Sequence, residues 1–297
     1  MFILGQVKVN IWKGFNRVSL EKRGQKPDIV ISKGATRAPD IGDKGSKMAN
    51  WNEQERTQNF GSVPRAGGEV AGVSYDEGLR SYMLSIYNYM ASGVLLTGIV
   101  AILFSMGGAE SPAGQIFLNG GPLAWVIKLS PLAFILVMSF GLNKISKPML
   151  NVLFWAFATV MGMSLSMIFL VYTGESIALT FFATAGAFAG LSLFGYTTKK
   201  DLSGFGTFLI MGVIGLIIAS LLNMFFQSSA LAFVISAVGV LVFAGLTAYD
   251  TQRLKEQYTY LRGTEFMGKA VIMGALNLYL DFINMFMFLL QFLGSRD

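Results

Sequence analysis

The segment "NLYLDFINMF", residues 277–286, contains a carboxylate, Asp281, within a long run of leucine, phenylalanine, methionine and isoleucine. Asn277 lies four residues before Asp281 and Asn284 lies three residues after it, so the three side chains share one face of a helix. An ionised carboxylate at membrane depth costs at least ~2.5 kcal/mol, and such groups are functional as a rule. The other interpretation is a structural aspartate held by asparagine and backbone partners.

A second unusual acid, Asp250, is expected at the end of the sixth apolar segment. There it either faces water, pairs with Arg253, or forms one site with Asp281. The last two apolar segments are consecutive and antiparallel, so both acids are predicted in the same half of the membrane. Two carboxylates within hydrogen-bond distance share a proton because they cannot both ionise at low cost. Lys144, expected at the inner end of the second segment, either competes for the deprotonated acid or is an ordinary loop cation.

The chain has no cysteine and no histidine. This excludes disulfides, thiolate chemistry, histidine-ligated metals and histidine general bases. Any proton chemistry therefore uses Asp, Glu, Lys or Tyr. We expect no cofactor except weakly bound calcium, for which Asp250, Asp281 and the two asparagines would supply a transient set of oxygens.

The composition is that of a membrane protein: 53% of the 297 residues are hydrophobic and 13% are charged. Soluble domains carry about 25% charged residues. The net charge of +6 arises from a polar arm and from short loops. This distribution excludes a nucleic-acid-binding face and indicates membrane topology, with the lipid bilayer as the first partner.

Seven apolar segments, each about 20 residues long, predict an all-α bundle of seven transmembrane helices. Their expected bounds are 84–106, 124–143, 149–172, 176–196, 205–226, 229–250 and 271–294. Residues 1–80 are predicted to form a polar, largely disordered arm, and residues 81–297 the membrane domain. Met48 resembles a native start, so residues 1–47 are either a misassigned start, a dispensable extension or a genuine unstructured tail.

The loop charges predict the orientation of the bundle. With the N-terminus in the cytoplasm, the inside loops carry eight lysines and arginines, whereas the loops between segments on the outside carry none. This asymmetry favours a cytoplasmic N-terminus and an odd number of helices. Small residues also recur four apart within two segments, which predicts close helix packing there. They are Ala183, Gly186, Ala187, Gly190, Gly215 and Ala219.

Three stretches resemble the Bax inhibitor, or transmembrane Bax-inhibitor-motif, family. They are "FGYTTKKDLS" (194–203), "LTAYDTQRLK" (246–255) and "ALNLYLDFINMFMFLLQFLG" (275–294), and the resemblance covers about residues 80–294. It implies seven membrane helices with the last one central, and a pH-sensitive calcium leak governed by two aspartates. Matched by motif, these aspartates are Asp250 and Asp281.

The resemblance also implies a basic residue at the inner end of the second helix that pairs with Asp250. The matching position is Lys144, where a bacterial member carries arginine; lysine lacks the bidentate guanidinium. Some bacterial members resemble modulators of a membrane-bound protease. The match to bacterial members, and the absence of an organelle-targeting leader, favour the inner membrane of a bacterium.

Three functions remain open from the sequence. The first is a pH-gated leak for calcium or another cation, which is not an enzyme. The second is a regulator that binds another membrane protein, such as a protease, and transports nothing itself. The third, an intramembrane aspartyl protease, is disfavoured because Leu278, Tyr279 and Leu280 stand where unwinding beside the acid needs glycine.

Overall fold

The computed structural model describes residues 66–295, and for residues 66–76 it describes the backbone alone. Regular secondary structure is helical throughout this part of the chain. Short 3₁₀ turns at Gly108–Glu110 and Ser166–Leu170 precede the second and fifth helices. The helices are α1 (Ala66–Ser105), α2 (Pro112–Leu118), α3 (Pro122–Gly141), α4 (Lys147–Leu165), α5 (Gly174–Thr197), α6 (Ser203–Phe226), α7 (Ser229–Leu261) and α8 (Met267–Leu293).

Seven of the described helices, all except α2, are long and apolar enough to cross a membrane. They coincide with the seven predicted spans, so the predicted fold class is confirmed. The predicted boundary at residue 80 falls inside α1, which begins at Ala66. Residues 1–65 of the predicted arm, with the suggested start at Met48, lie outside the described residues.

Capping side chains fix where several helices begin. Ser111, Ser146, Thr173 and Ser228 precede α2, α4, α5 and α7, and each side-chain oxygen accepts a hydrogen bond from a backbone N–H of the first turn. These bonds satisfy N–H groups that have no partner within their own helix. These four polar residues between the apolar segments therefore mark where the helices begin.

Neither Pro131 nor Lys128 interrupts the second span. Helix α3 continues from Pro122 to Gly141 with Pro131 buried inside it. The Lys128 ammonium lies 5.4 Å from the centre of the Phe117 ring and 5.7 Å from that of Trp125. These aromatic faces accommodate the cation near the end of the helix.

Helix α8 is the centre of the bundle. In its most apolar 18-residue window 89% of the residues are buried, against at most 39% in any other described span. It packs against α1, α4, α5 and α7, while α3 packs on α4 and α6 on α7. A helix that is apolar on nearly every face is buried on every face. The central last helix that the family resemblance implies is therefore confirmed.

The predicted small-residue packing faces are wrong. Gly186, Gly190 and Gly215 are exposed, and a Cβ atom added at any of them would meet nothing within 4 Å among the described residues. Helices α5 and α7 instead approach each other closely at Gly195, where an added Cβ would fall on the Ala248 carbonyl oxygen. The spacing in the sequence shows that the small residues share one face of the helix. It does not show whether that face points into the bundle or away from it.

The basic loops gather at one end of the bundle. The Lys269 ammonium donates to the Leu142 carbonyl over 3.1 Å, and the Gln252 amide donates to the Lys200 carbonyl over 2.7 Å. We call this the basic end; its loops are 142–146, 198–202 and 262–266. The other end, called the opposite end, has the loops 106–121, 171–173 and 227–228. Which end faces the cytoplasm stays a prediction.

Candidate functional site

The two aspartates lie on neighbouring helices, and Asp250 is not at a helix end as the sequence suggested. Helix α7 continues to Leu261, so Asp250 is followed by about three more helical turns. Its side chain is 5% exposed and that of Asp281 is 0% exposed. Of the alternatives that the sequence left open, burial excludes a water-facing Asp250. Gln252, two residues further on, bonds to Lys200 and Leu202, so Asp250 lies near the basic end of the bundle.

Two contacts define the register between α7 and α8. A Cβ atom added at Gly239 would lie 2.6 Å from Phe288, and one added at Gly274 would lie 2.8 Å from Leu254. The helices are antiparallel, so interpolation between these contacts places Asp250 level with Asn277. Asp281 then lies one helical turn further toward the opposite end, or ~5 Å along the axis.

Both aspartates belong to the ridges by which α7 and α8 face each other. Residues three or four apart form such a ridge, and these two ridges contain both register contacts. On α7 the ridge residues are Gly239, Phe243, Leu246, Asp250 and Leu254; on α8 they are Gly274, Leu278, Asp281, Met285 and Phe288. The structure thus brings the two acids to one interface, and α8 is continuous through Gly274 and Asp281.

The two asparagines occupy different environments beside the acids. Asn284 is 3% exposed, and its amide donates to the Leu280 carbonyl of its own helix over 2.7 Å. Asn277 is half-buried, and its side-chain oxygen finds no hydrogen-bond donor among the described residues. The asparagine oxygens add neutral ligand atoms along the same helix face as Asp281.

The cations predicted near the pair lie at different depths. Arg253 is half-buried one turn from Asp250, within electrostatic range of that carboxylate and of Glu256. Lys144 is exposed in the turn that follows α3. The ammonium that reaches into this corner of the bundle is that of Lys269, which bonds to Leu142. Its position at the start of α8 carried no sequence signal beyond that of a loop cation.

Sequence reasoning missed the two residues that follow Asp250. Thr251 is fully buried, and its hydroxyl donates to the Ser192 hydroxyl on α5 over 3.4 Å, with the Tyr87 hydroxyl of α1 bonded to both. The Gln252 oxygen accepts a hydrogen bond from the Leu202 N–H over 2.9 Å. The run Asp-Thr-Gln in an apolar segment was the available signal.

Metal-binding capacity at the site is small. The described residues contain no group of three or more His, Cys, Asp or Glu side chains that could hold a metal ion. Calcium prefers six to eight oxygens. Two carboxylates and two asparagine side chains fall short of the ligand set of a tightly held calcium ion.

Comparison with known proteins assigns the family. The family model described as "Inhibitor of apoptosis-promoting Bax1" matches residues 79–297. The chain is 44% identical over 224 residues to the inner membrane protein YbhL of Escherichia coli K12, a match that covers 74% of this chain and 93% of YbhL.

Two further relatives are an uncharacterized protein of Caulobacter vibrioides and an uncharacterized membrane protein of Streptococcus pyogenes. The first is 47% identical over 246 residues, covering 80% of this chain and 98% of the relative. The second is 34% identical over 222 residues, covering 75% and 96%. With its seven apolar helices the chain is a multi-pass membrane protein, and these names fit a bacterial inner membrane. The chain belongs to the Bax inhibitor-1 family of membrane proteins.

Proposed function

We propose that this protein is a pH-sensitive cation leak, with calcium as its main ion, and that a proton shared by Asp250 and Asp281 controls it. The observation that supports this most is their placement: both acids are buried, and they lie on facing ridges about one helical turn apart. A buried carboxylate in a membrane helix is costly, and two at one interface cost more unless they share a proton.

The shared proton acts as a link between α7 and α8. While it is present, the pair carries one negative charge and the helices stay together. When the pH rises and the proton leaves, two negative charges face each other in a medium of low dielectric constant, and their repulsion separates the helices. Arg253, one turn from Asp250, lies within electrostatic range of that acid and would face the separated pair.

The separated carboxylates then offer oxygens to a divalent cation. Asn277, Asn284 and water complete a weak set of ligands. Weak binding suits conduction, because an ion must leave the site as readily as it enters. Lys144 keeps a role only if its exposed side chain folds back over the basic end.

The test is calcium flux into proteoliposomes that contain the full chain. Flux is expected to rise from about pH 6 to about pH 8 in the wild type and to lose this dependence in Asp281→Asn, which cannot ionise. Asp201→Asn is the matched control, since Asp201 lies outside the membrane spans. Hydrogen bonds from the Ser203 hydroxyl and the Ser203 N–H lower the pKa of Asp201, so it stays ionised over this range.

Equal flux at every pH in the wild type and in Asp281→Asn would contradict the leak. A pH response that also disappears in Asp201→Asn would show that the response comes from surface charge and not from the buried pair.

Non-enzymatic action is part of the proposal. No relative named above carries the name of an enzyme. Helix α8 runs without interruption through Asp281, which disfavours an intramembrane aspartyl protease because peptide cleavage requires unwound backbone beside the acid.

The second candidate function is regulation of another membrane protein. The exposed small-residue faces of α5 and α6 favour this function. Gly190 on α5 and Gly215 on α6 have open space beside them, where another helix could approach closely. Crosslinking in native membranes, with and without residues 1–65, which precede α1, tests it. A partner captured by a chain that shows no flux would support regulation over transport.

A further inference from the structure

A cavity between α6, α7 and α8 lies in the half of the bundle nearer the opposite end. Its volume is about 290 Å³. Four uncharged polar side chains line it, from α6 and α8: Ser220, Asn223, Asn284 and Gln291. None of its lining side chains is ionisable, and the rest are apolar. We propose that this cavity is the water-filled outer half of the cation path; the inference rests on the proposed leak function.

The inner limit of the cavity lies just above the buried acid. Among its lining residues, Val213 of α6, Phe243 of α7 and Asn284 of α8 are those nearest the basic end. Asp281 lies three residues, or ~4.5 Å, deeper along α8 and is fully buried. The cavity therefore ends within one helical turn of the carboxylate that the leak requires.

The chemistry of the lining fits a hydrated cation. A water molecule occupies ~30 Å³ in the liquid, so the cavity has room for several. Hydroxyl and amide oxygens can replace part of the hydration shell of an ion without holding it as tightly as a carboxylate. Phe243, whose ring stacks on Phe288 with 5.8 Å between centres, forms the apolar barrier at the inner limit.

A second cavity also reaches Asn284, and its charge makes it the poorer route. It lies between α3, α4 and α8, has a volume of about 460 Å³ and contains Lys128 and Ser164. An ammonium in a medium of low dielectric constant repels calcium strongly. This cavity is the larger of the two, but the lysine that lines it disfavours entry of a cation.

The absence of native cysteine makes a direct test simple, because a single introduced thiol is the only one in the chain. Ser220→Cys and Asn223→Cys are treated in proteoliposomes with a membrane-impermeant, positively charged methanethiosulfonate. Both are expected to react at least ~10-fold faster than Leu222→Cys, because thiolate forms only where water reaches the sulfur. Leu222 lies on the same helix at the same depth but is 50% exposed, on the outer surface.

Two methanethiosulfonates of opposite charge distinguish the two cavities. At Ser164→Cys, beside Lys128, a negatively charged reagent is expected to react faster than the positively charged one. At Ser220→Cys that preference is expected to be absent or reversed.

Flux after labelling connects the cavity to transport. Adducts at Ser220→Cys and Asn223→Cys should reduce calcium flux several-fold, and an adduct at Leu222→Cys should not. Slow reaction at all three positions would overturn the proposal, since the cavity would then hold no water. Reaction without loss of flux would also overturn it, because the path would lie elsewhere. Failure of the leak itself is visible earlier, as absence of pH-dependent flux before any reagent is added.

Discussion

At the scale of single residues, the bundle contains polar groups of two kinds. Some satisfy each other completely: Thr97 donates to the Ala158 carbonyl over 2.9 Å, and its oxygen lies 2.7 Å from the Tyr279 hydroxyl. These two bonds hold α1, α4 and α8 together. Asp250 and Asp281 differ because ionisation changes their interaction, so they can respond to pH whereas the hydroxyl cluster cannot.

Thr97→Val should destabilise the protein by ~1–3 kcal/mol, because it leaves the fully buried Tyr279 hydroxyl without this partner. The measurement is unfolding in mixed detergent micelles, followed by circular dichroism. Thr159→Val is the matched control, since the Thr159 hydroxyl bonds only to the Trp155 carbonyl of its own helix among the described residues. A loss as large in the control would show that the cost comes from the valine and not from the interhelical bond.

At the scale of helices, the three residues from Asp250 to Gln252 connect α7 to three neighbouring elements. Successive residues on a helix point 100° apart, so three in a row reach three different neighbours. Asp250 lies on the ridge toward α8, Thr251 bonds to Ser192 on α5, and Gln252 bonds to the loop before α6. A separation of α7 from α8 would therefore also act on α5 and on that loop.

The tight crossing of α5 and α7 provides a test of this packing. Gly195→Ala should lower stability by ~1–3 kcal/mol, because its Cβ would fall on the backbone of Ala248 and the helices must move apart. Gly190→Ala, on the exposed face of the same helix, should be neutral or stabilising by up to ~1 kcal/mol, because alanine is the better helix former. Thermal unfolding of both variants in one detergent measures the difference. Equal behaviour would show that the two helices are not held at this distance.

At the scale of the whole molecule, the basic loops lie at the same end of the bundle and therefore on the same side of the membrane. The Lys269 bond joins the start of α8 to the 142–146 loop, and the Gln252 bond joins the last third of α7 to the 198–202 loop, so the basic loops lie at one end of the bundle. The excess of basic residues there favours the cytoplasmic side.

Single cysteines in the cysteine-free chain test this orientation in intact cells. Glu110→Cys, exposed at the opposite end, should react with an impermeant maleimide added outside. Lys199→Cys, exposed at the basic end, should react only after the membrane is permeabilised. The reverse pattern would invert the topology and move the cavity between α6, α7 and α8 to the cytoplasmic side.

The sequence alone determined the number of spans, their approximate bounds and the face shared by Asn277, Asp281 and Asn284. Local periodicity and the length of apolar runs carry this information, because the thickness of a bilayer and the pitch of a helix are constant. The family resemblance added the central position of the last helix. That Asp250 and Asp281 act together as a proton sensor remains a prediction.

Only the tertiary structure decided that α7 continues past Asp250, that Asp250 and Asp281 lie on facing ridges, and that Gly195 and not Gly190 is the contact glycine. These facts depend on the rotation of each helix about its axis and on the register between helices. Both are set by packing among side chains far apart in the chain, so no local pattern of residue types contains them.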